Sequence, residues 1–301
     1  MRISTQMMHR VAVNAILDRQ STLSHTQQQL ATGKRIMTPA EDPAASSQAL
    51  INSQRLSITD QYSINASRAF SRLQTEEGVL DAAVNSLQRV RELAVQGLND
   101  SHGVDGRIAI SIEVEERLAE MLDLANTKDG NGEYIFAGFQ GATIPFVDAG
   151  GGVYNYQGDQ GQRKLQISPT RQVATSDPGS NVFVDLPFSG GGTQDIFKTI
   201  YDFVTALQAD APNGAFLDDI DGAIDRISNV KANIGARQNI IDSQKDINEQ
   251  YSVQLNSVLS ELQDLDYAEA TGRLNLELVG LDAAQLSFQK IQNLSLFNYM
   301  R

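Results

Sequence analysis

Gly33-Lys34, inside LATGKRIMTPAEDPAASSQAL (residues 30–50), is the residue pair that closes a phosphate-binding loop. Such a loop needs a glycine five residues earlier and a Ser or Thr after the lysine, so that backbone N–H groups and a hydroxyl meet the phosphates. Gln28 and Arg35 occupy those positions, and no strand signal precedes the segment. The three histidines, His9, His25 and His102, are scattered, with none in a paired-ligand spacing. His9 and His25 read as solvated helix residues. DGNG (129–132) lacks the alternating oxygen ligands of a calcium loop. Asp218 and Asp221 fail likewise, because Ile220 takes a ligand position. There is no cysteine, which removes disulfides, thiolate catalysis and cysteine-bound zinc together. No GxSxG and no triad is present. These residues point to no enzyme, no cofactor and no metal.

The physical alternative for residues 30–50 is a joint between helices. Gly33 can end one helix in a left-handed conformation, with Lys34 and Arg35 near its carbonyl end. Pro39 and Pro43 then hold TPAEDPA extended, because residues before proline avoid helical torsions. Thr38 or Asp42 restarts a helix as its cap.

The elements around this joint read as helices. Val13, Ile16, Leu23 and Leu30 follow the spacing of a helix seam, with Gln20 and Gln27 in the intervening steps. Phe70, Leu73, Leu80, Val84 and Leu87 continue it over 66–96. A break follows at GLNDSHGVDG (97–106). A helix then runs from about Arg107 to Thr127, with Ile108, Ile112, Leu118 and Leu122 on one stripe. The longest regular signal comes late. Ile220, Ile227, Ile234, Ile241, Asn248, Leu255 and Leu262 repeat every seven residues. Ala223, Val230, Arg237, Gln244, Tyr251, Val258 and Leu265 form the companion row. That repeat predicts a long supercoiled helix packed on others. Arg237, Gln244 and Asn248 interrupt the seam, and the reading preferred over register control is a weakened, partly hydrated layer. A last amphipathic stretch, 274–299, carries Leu274, Leu278, Leu281, Phe288, Ile291 and Leu294.

Between the helices the chain changes character. Thirteen of its 23 glycines lie between Gly130 and Gly192. EYIFAGF (133–139), GVYNYQG (152–158), RKLQIS (163–168) and NVFVD (181–185) read as short strands joined by turns. The eleven aromatics from Tyr134 to Phe203 read as the core of this small β region rather than a ligand groove.

The 37 acidic and 24 basic residues give a formal charge of −13, which argues against a nucleic-acid partner. Residues 1–60 hold six Lys/Arg and four Asp/Glu, and 265–301 hold three and four, so the excess lies in 61–264. The ends read as surfaces that pack, and the middle as surface that stays wet. No run is long enough to span a bilayer, and no membrane contact is expected. MRISTQMMHRVAVNAILDRQ lacks the apolar core of a cleaved secretory signal. The missing cysteines fit a chain exported unfolded through a dedicated channel.

Helical ends around a glycine-rich middle resemble the flagellin family. LATGKRIMTPAEDPAASSQAL looks like that family's signature after its first helix. MRISTQMM, the TPAEDPAASSQAL form, EYIFAGFQG and QLSFQKIQNLSLFNYM are similar to the branch of the family at the hook–filament junction rather than to filament subunits. The resemblance covers about 1–140 and 215–301 and is weak in 141–210. It implies a mainly α fold, a long helical coiled-coil bundle from both chain ends with a small inserted β domain. It implies a terminal coiled-coil domain (1–44 with 266–301), a helical core (45–132 with 194–265) and an outer β domain (133–193). It further implies a structural adaptor of the extracellular flagellum, sent through the flagellar type III export channel without a cleaved signal. The implied partners are the first hook-associated protein, flagellin, a ring of copies of itself, and an export chaperone at the C-terminal helix. Val13, Ile16, Leu23 and Leu30 would pack with Leu274, Leu278, Leu281, Phe288, Ile291 and Leu294 only once neighbours are present. A minor flagellin, or a secreted coiled-coil adhesin, is the alternative.

Overall fold

The computed structural model describes the backbone of residues 5–101 and 103–299 and the side chains of 7–101 and 103–290. The chain runs α1 (Thr5–Thr32), α2 (Pro43–Gly97), α3 (Val104–Ala125), β1 (Phe146–Asp148), β2 (Tyr154–Tyr156), β3 (Lys164–Ser168) and β4 (Arg171–Ala174). A π-helical turn (Ser180–Val184), β5 (Leu186–Pro187), β6 (Thr193–Gln194), α4 (Ile196–Gln208), α5 (Ala215–Gln263) and α6 (Tyr267–Tyr299) complete it. The fold is mainly helical, with long helices from both chain ends and a small β region between them, as the periodicity predicts. Two compact units result: Met1–Ile58 with Tyr251–Arg301, and Thr59–Gln250.

The core of the second unit is built on small residues. Along α2, Ala66, Ala69, Leu73, Leu80, Ala83, Leu87, Val90 and Ala94 are buried. Alanines at these steps let neighbouring backbones approach, while each leucine fills the space between. On α3 the buried stripe is Arg107, Ile110, Ser111, Val114, Leu118, Met121 and Ala125. Ile108 and Ile112, which the sequence places with Leu118, are instead exposed. The helix begins three residues earlier than read, and Arg107 holds the preceding loop. Its guanidinium donates to Gly97 O at 3.0 Å and Asp100 Oδ1 at 2.9 Å and pairs with Asp210. The buried stripe thus runs through Arg107, with all three guanidinium nitrogens engaged, and Ile110, and leaves Ile108 and Ile112 off it.

The inserted region is three separate antiparallel ribbons, β1–β2, β3–β4 and β5–β6. Two-stranded ribbons are marginal in water by themselves. Here an aromatic cluster holds the first ribbon, and Ile167, Val173 and Leu186 tie the other two into the same apolar core. Phe146, Phe183 and Phe197 pack ring on ring, with Phe136, Tyr154 and Tyr156 against them. The expected strand at 181–185 is the π-helical turn, and 133–139 is an irregular loop. Adjacent Val182 and Phe183 are both buried, as are consecutive Ile135, Phe136 and Ala137. A strand would send neighbours to opposite faces; a turn or loop can bury them together.

The polar positions of the long heptad row anchor this insertion. Asn248 donates to Ile167 O at 3.1 Å and accepts from Gln244 Nε2 at 3.0 Å. Arg237 pairs with Asp177, and Gln162 Nε2 donates to Asp177 Oδ1 at 2.8 Å. The Asp177 N–H donates to Glu76 Oε1 of α2 at 3.0 Å. Arg237 and Asn248 thus bond the inserted backbone, at Ala174 O and Ile167 O, from half-buried and buried positions of the seam. Above and below them Ile220, Ile227, Ile234, Ile241, Leu255 and Leu265 are buried, while Tyr251 is exposed.

Candidate assembly site

In the first unit α1 packs against α6. Leu23 is buried, and Val13, Ile16, Leu30, Leu274, Leu281 and Phe288 are half-buried along the seam. Leu278 is 42% exposed and lies off it. The side chains of Ile291 and Leu294 lie outside the described residues, as does His102. His9 is exposed, as read, and its ring stands edge-on to Phe288 with centroids 4.9 Å apart. The two helices pair within a single chain.

Three polar side chains in the seam escape a purely apolar reading. Thr26 Oγ1 donates to Glu277 Oε1 at 3.0 Å, and both residues are buried. Gln29 Nε2 donates to Arg35 O at 2.6 Å, while its Oε1 accepts from Arg273 Nη2 at 3.2 Å. Thr26 follows Leu23 by three, and Glu277 follows Leu274 by three. Spacing alone thus marks them as seam positions, although residue type hides them.

The joint is two chain reversals paired to each other. Gly33, at φ +68°, ends α1, and its N–H donates to Gln29 O at 2.8 Å. Arg35 N donates to Gln263 O at 2.7 Å and Leu265 N to Gly33 O at 2.9 Å, so the end of α1 bridges the end of α5. Arg35 Nη2 donates to Leu262 O at 2.8 Å. Asp266 then caps α6, accepting from Ala268 N at 2.9 Å and Glu269 N at 3.2 Å. The N–H groups of Gly33 and Arg35 are thus committed to carbonyls rather than available to a phosphate.

TPAEDPA is a turn, not an extended run. Glu41 N donates to Thr38 O at 3.1 Å, with Pro39 at the second turn position, where its fixed φ fits. The Glu41 carboxylate gathers Met37 N at 3.0 Å, Thr38 N at 3.2 Å and Thr38 Oγ1 at 2.9 Å. His25 Nε2 lies 3.3 Å away. The Met37 N–H, then the Thr38 hydroxyl and His25, hold Glu41 down to about 2. Asp42 Oδ1 accepts from Ala45 N at 3.0 Å, and Pro43 opens α2, where its missing N–H costs nothing.

Gly33 is where this joint is most sensitive. A Cβ there would lie 2.7 Å from Tyr267 Oη, in a torsion that L-residues avoid. Gly33→Ala is expected to destabilise the first unit by about 1–2 kcal/mol, and Gly33→Asn by less. Urea unfolding of the two variants would measure both; equal costs would reject the left-handed strain as the cause.

Away from the seam the same helices expose apolar side chains. Val11 and Leu17 on α1 are 62% and 56% exposed, and Leu276, Val279 and Leu286 on α6 are 74%, 67% and 59% exposed. On α6, Leu276, Val279 and Leu286 fall on one side of the helix, away from the seam, whereas Val11 and Leu17 flank the seam of α1 on either side. Exposed apolar side chains gathered on one side of a helix are the kind of surface that makes protein contacts.

Comparison with known proteins bears on what that contact is. Residues 3–141 match the bacterial flagellin N-terminal helical region, and 217–300 match the bacterial flagellin C-terminal helical region. Flagellar hook-associated protein 3 of Escherichia coli is 27% identical, over 99% of this chain and 99% of its own length. Flagellin FlaB1 of Treponema pallidum is 28% identical over 73% of each. Among solved structures, flagellar hook-associated protein 3 from Legionella pneumophila shares the fold with a TM-score of 0.66. It is 24% identical and covers 70% of this chain and 98% of that one.

Proposed function

The chain belongs to the flagellin family, and from that premise we propose that it is the structural adaptor at the junction between the hook-associated proteins and the flagellin filament. One observation carries this reading above a filament subunit. The similarity to hook-associated protein 3 runs essentially from end to end of both chains, whereas that to FlaB1 covers 73%. The location in the flagellum follows from the same relatives. The exposed faces of α1 and α6 supply what an adaptor needs, since a buried Leu or Val contributes roughly 1.5–3 kcal/mol. We read those faces as packing against copies of the chain in a ring, against the first hook-associated protein on one side and flagellin on the other. The C-terminal helix, about 274–299, presents the same apolar face to an export chaperone before assembly. Export through the flagellar type III channel delivers the chain to the outside of the cell. Its role is structural rather than catalytic.

Deleting the gene in the source bacterium and blotting cells and medium for flagellin tests this. Hooks are expected to remain while flagellin escapes into the medium as monomers. Filaments that still form would reject the junction role and favour a minor flagellin.

A further inference from the structure

An open cleft of about 800 Å³ lies in the second unit, lined by one face of α2, the 129–131 turn and the start of β3. Ser67, Ser71 and Thr75 line it at four-residue steps, with Arg68 and Arg72 on the same helix and Arg163 from the β3 side. Three guanidinium groups thus gather in the part of the chain that carries all the acidic excess. The carboxylates beside them do not balance them. Arg72 Nη1 donates to Asp129 Oδ2 at 3.0 Å and Glu133 Oε2 at 3.4 Å, and Arg163 pairs with the same Glu133. Arg68 has no partner among the described residues. Nε and Nη2 of Arg72 are shielded from solvent and have no acceptor. Those two nitrogens are therefore closed to anything in the cleft, and the donors open to it are those of Arg68 and Arg163 with the three hydroxyls.

What such open donors match is an acceptor with two or more oxygens. A guanidinium presents parallel N–H groups that match a carboxylate or phosphate edge, and the three hydroxyls add further donors. The volume falls within the range of small-ligand sites. We propose that this cleft binds an oxyanion-bearing ligand, a small molecule with carboxylate or phosphate groups, through Arg68 and Arg163 with Ser67, Ser71 and Thr75 beside them. An acidic side-chain cluster on a second copy carries the same chemistry and is the other source.

The test uses the full chain at low ionic strength. Calorimetric titration with citrate and with inorganic pyrophosphate is expected to give saturable one-site binding to the wild type. Arg68→Ala, which removes no internal contact, is expected to weaken it about tenfold or more with an unchanged circular dichroism spectrum. Sedimentation of both proteins without ligand reads the second source. Self-association that Arg68→Ala abolishes and citrate competes away would assign the oxyanion to a neighbouring copy. Titrations identical in wild type and variant, or neither binding nor Arg68-dependent association, would overturn the proposal.

Discussion

Phe183→Ala is expected to cost about 3–5 kcal/mol of unfolding free energy, the range for deleting a fully buried aromatic. Phe183 is 0% exposed. Its ring meets Phe136 edge-on at 5.1 Å, Phe146 at 5.7 Å and Phe197 at 6.0 Å between centroids. These rings come from an irregular loop, from β1 and from α4, so one truncation opens a void on three sides. The ribbons have few ladder bonds to compensate. Denaturant unfolding followed by tyrosine fluorescence measures the cost. Phe183→Leu should recover most of the loss, since it refills much of the volume. A loss below about 1 kcal/mol for the alanine variant would mean that the π-helical turn does not seat this ring in the core.

Stability is also expected to fall as pH rises from about 5 to 8, with Glu76 as the cause. Burial, and next the Asp177 carboxylate, push the Glu76 carboxyl up to about 8, while the Asp177 N–H, Arg237 and Arg72 act in the opposite direction. Oε2 has no hydrogen-bond partner. In the unfolded chain the same group titrates near its ordinary value of 4.5. Between these values the folded state keeps a proton that the unfolded chain has released, so each pH unit upward shifts the folding equilibrium about tenfold toward unfolding. The contribution is complete below the unfolded value and lost above about 8. Glu76→Gln keeps an acceptor for Asp177 N and cannot ionise. It is expected to stabilise the protein by about 2–4 kcal/mol at pH 8, to leave it little changed at pH 5, and to flatten the slope between. Urea unfolding of both proteins across this range decides it. Parallel pH profiles would show that Glu76 is not the group responsible.

Phe183 was legible as one of the core aromatics, whereas the role of Glu76 could not be read in one dimension. Periodicity sufficed for the helices, because a seam repeats at fixed steps whatever it packs against. Turn chemistry sufficed for Gly33 and Asp42, since a left-handed end and a cap are local demands of the backbone. Composition sufficed for a glycine-rich insertion with an aromatic core, and the terminal signatures for the family. All of these are local or additive properties.

Tertiary structure decided what depends on partners distant in the chain. Asn248 and Arg237 looked like flaws in a heptad row and are the residues that bind the insertion, which lies about 70 positions away. Ile108 looked like core and is surface, because the buried stripe of its helix runs through Arg107 and Ile110 instead, with Arg107 bonded to Gly97 and Asp210. NVFVD has strand residues but forms a turn, since Val182 and Phe183 both gain more by burial on one side than the ladder returns. Glu76 gave no signal at all: a glutamate on a long helix is ordinarily solvated, and only the chain laid over it makes it a buried acid. Short-range geometry belongs to the sequence, whereas the pairing and burial of polar groups belong to whatever the fold brings beside them.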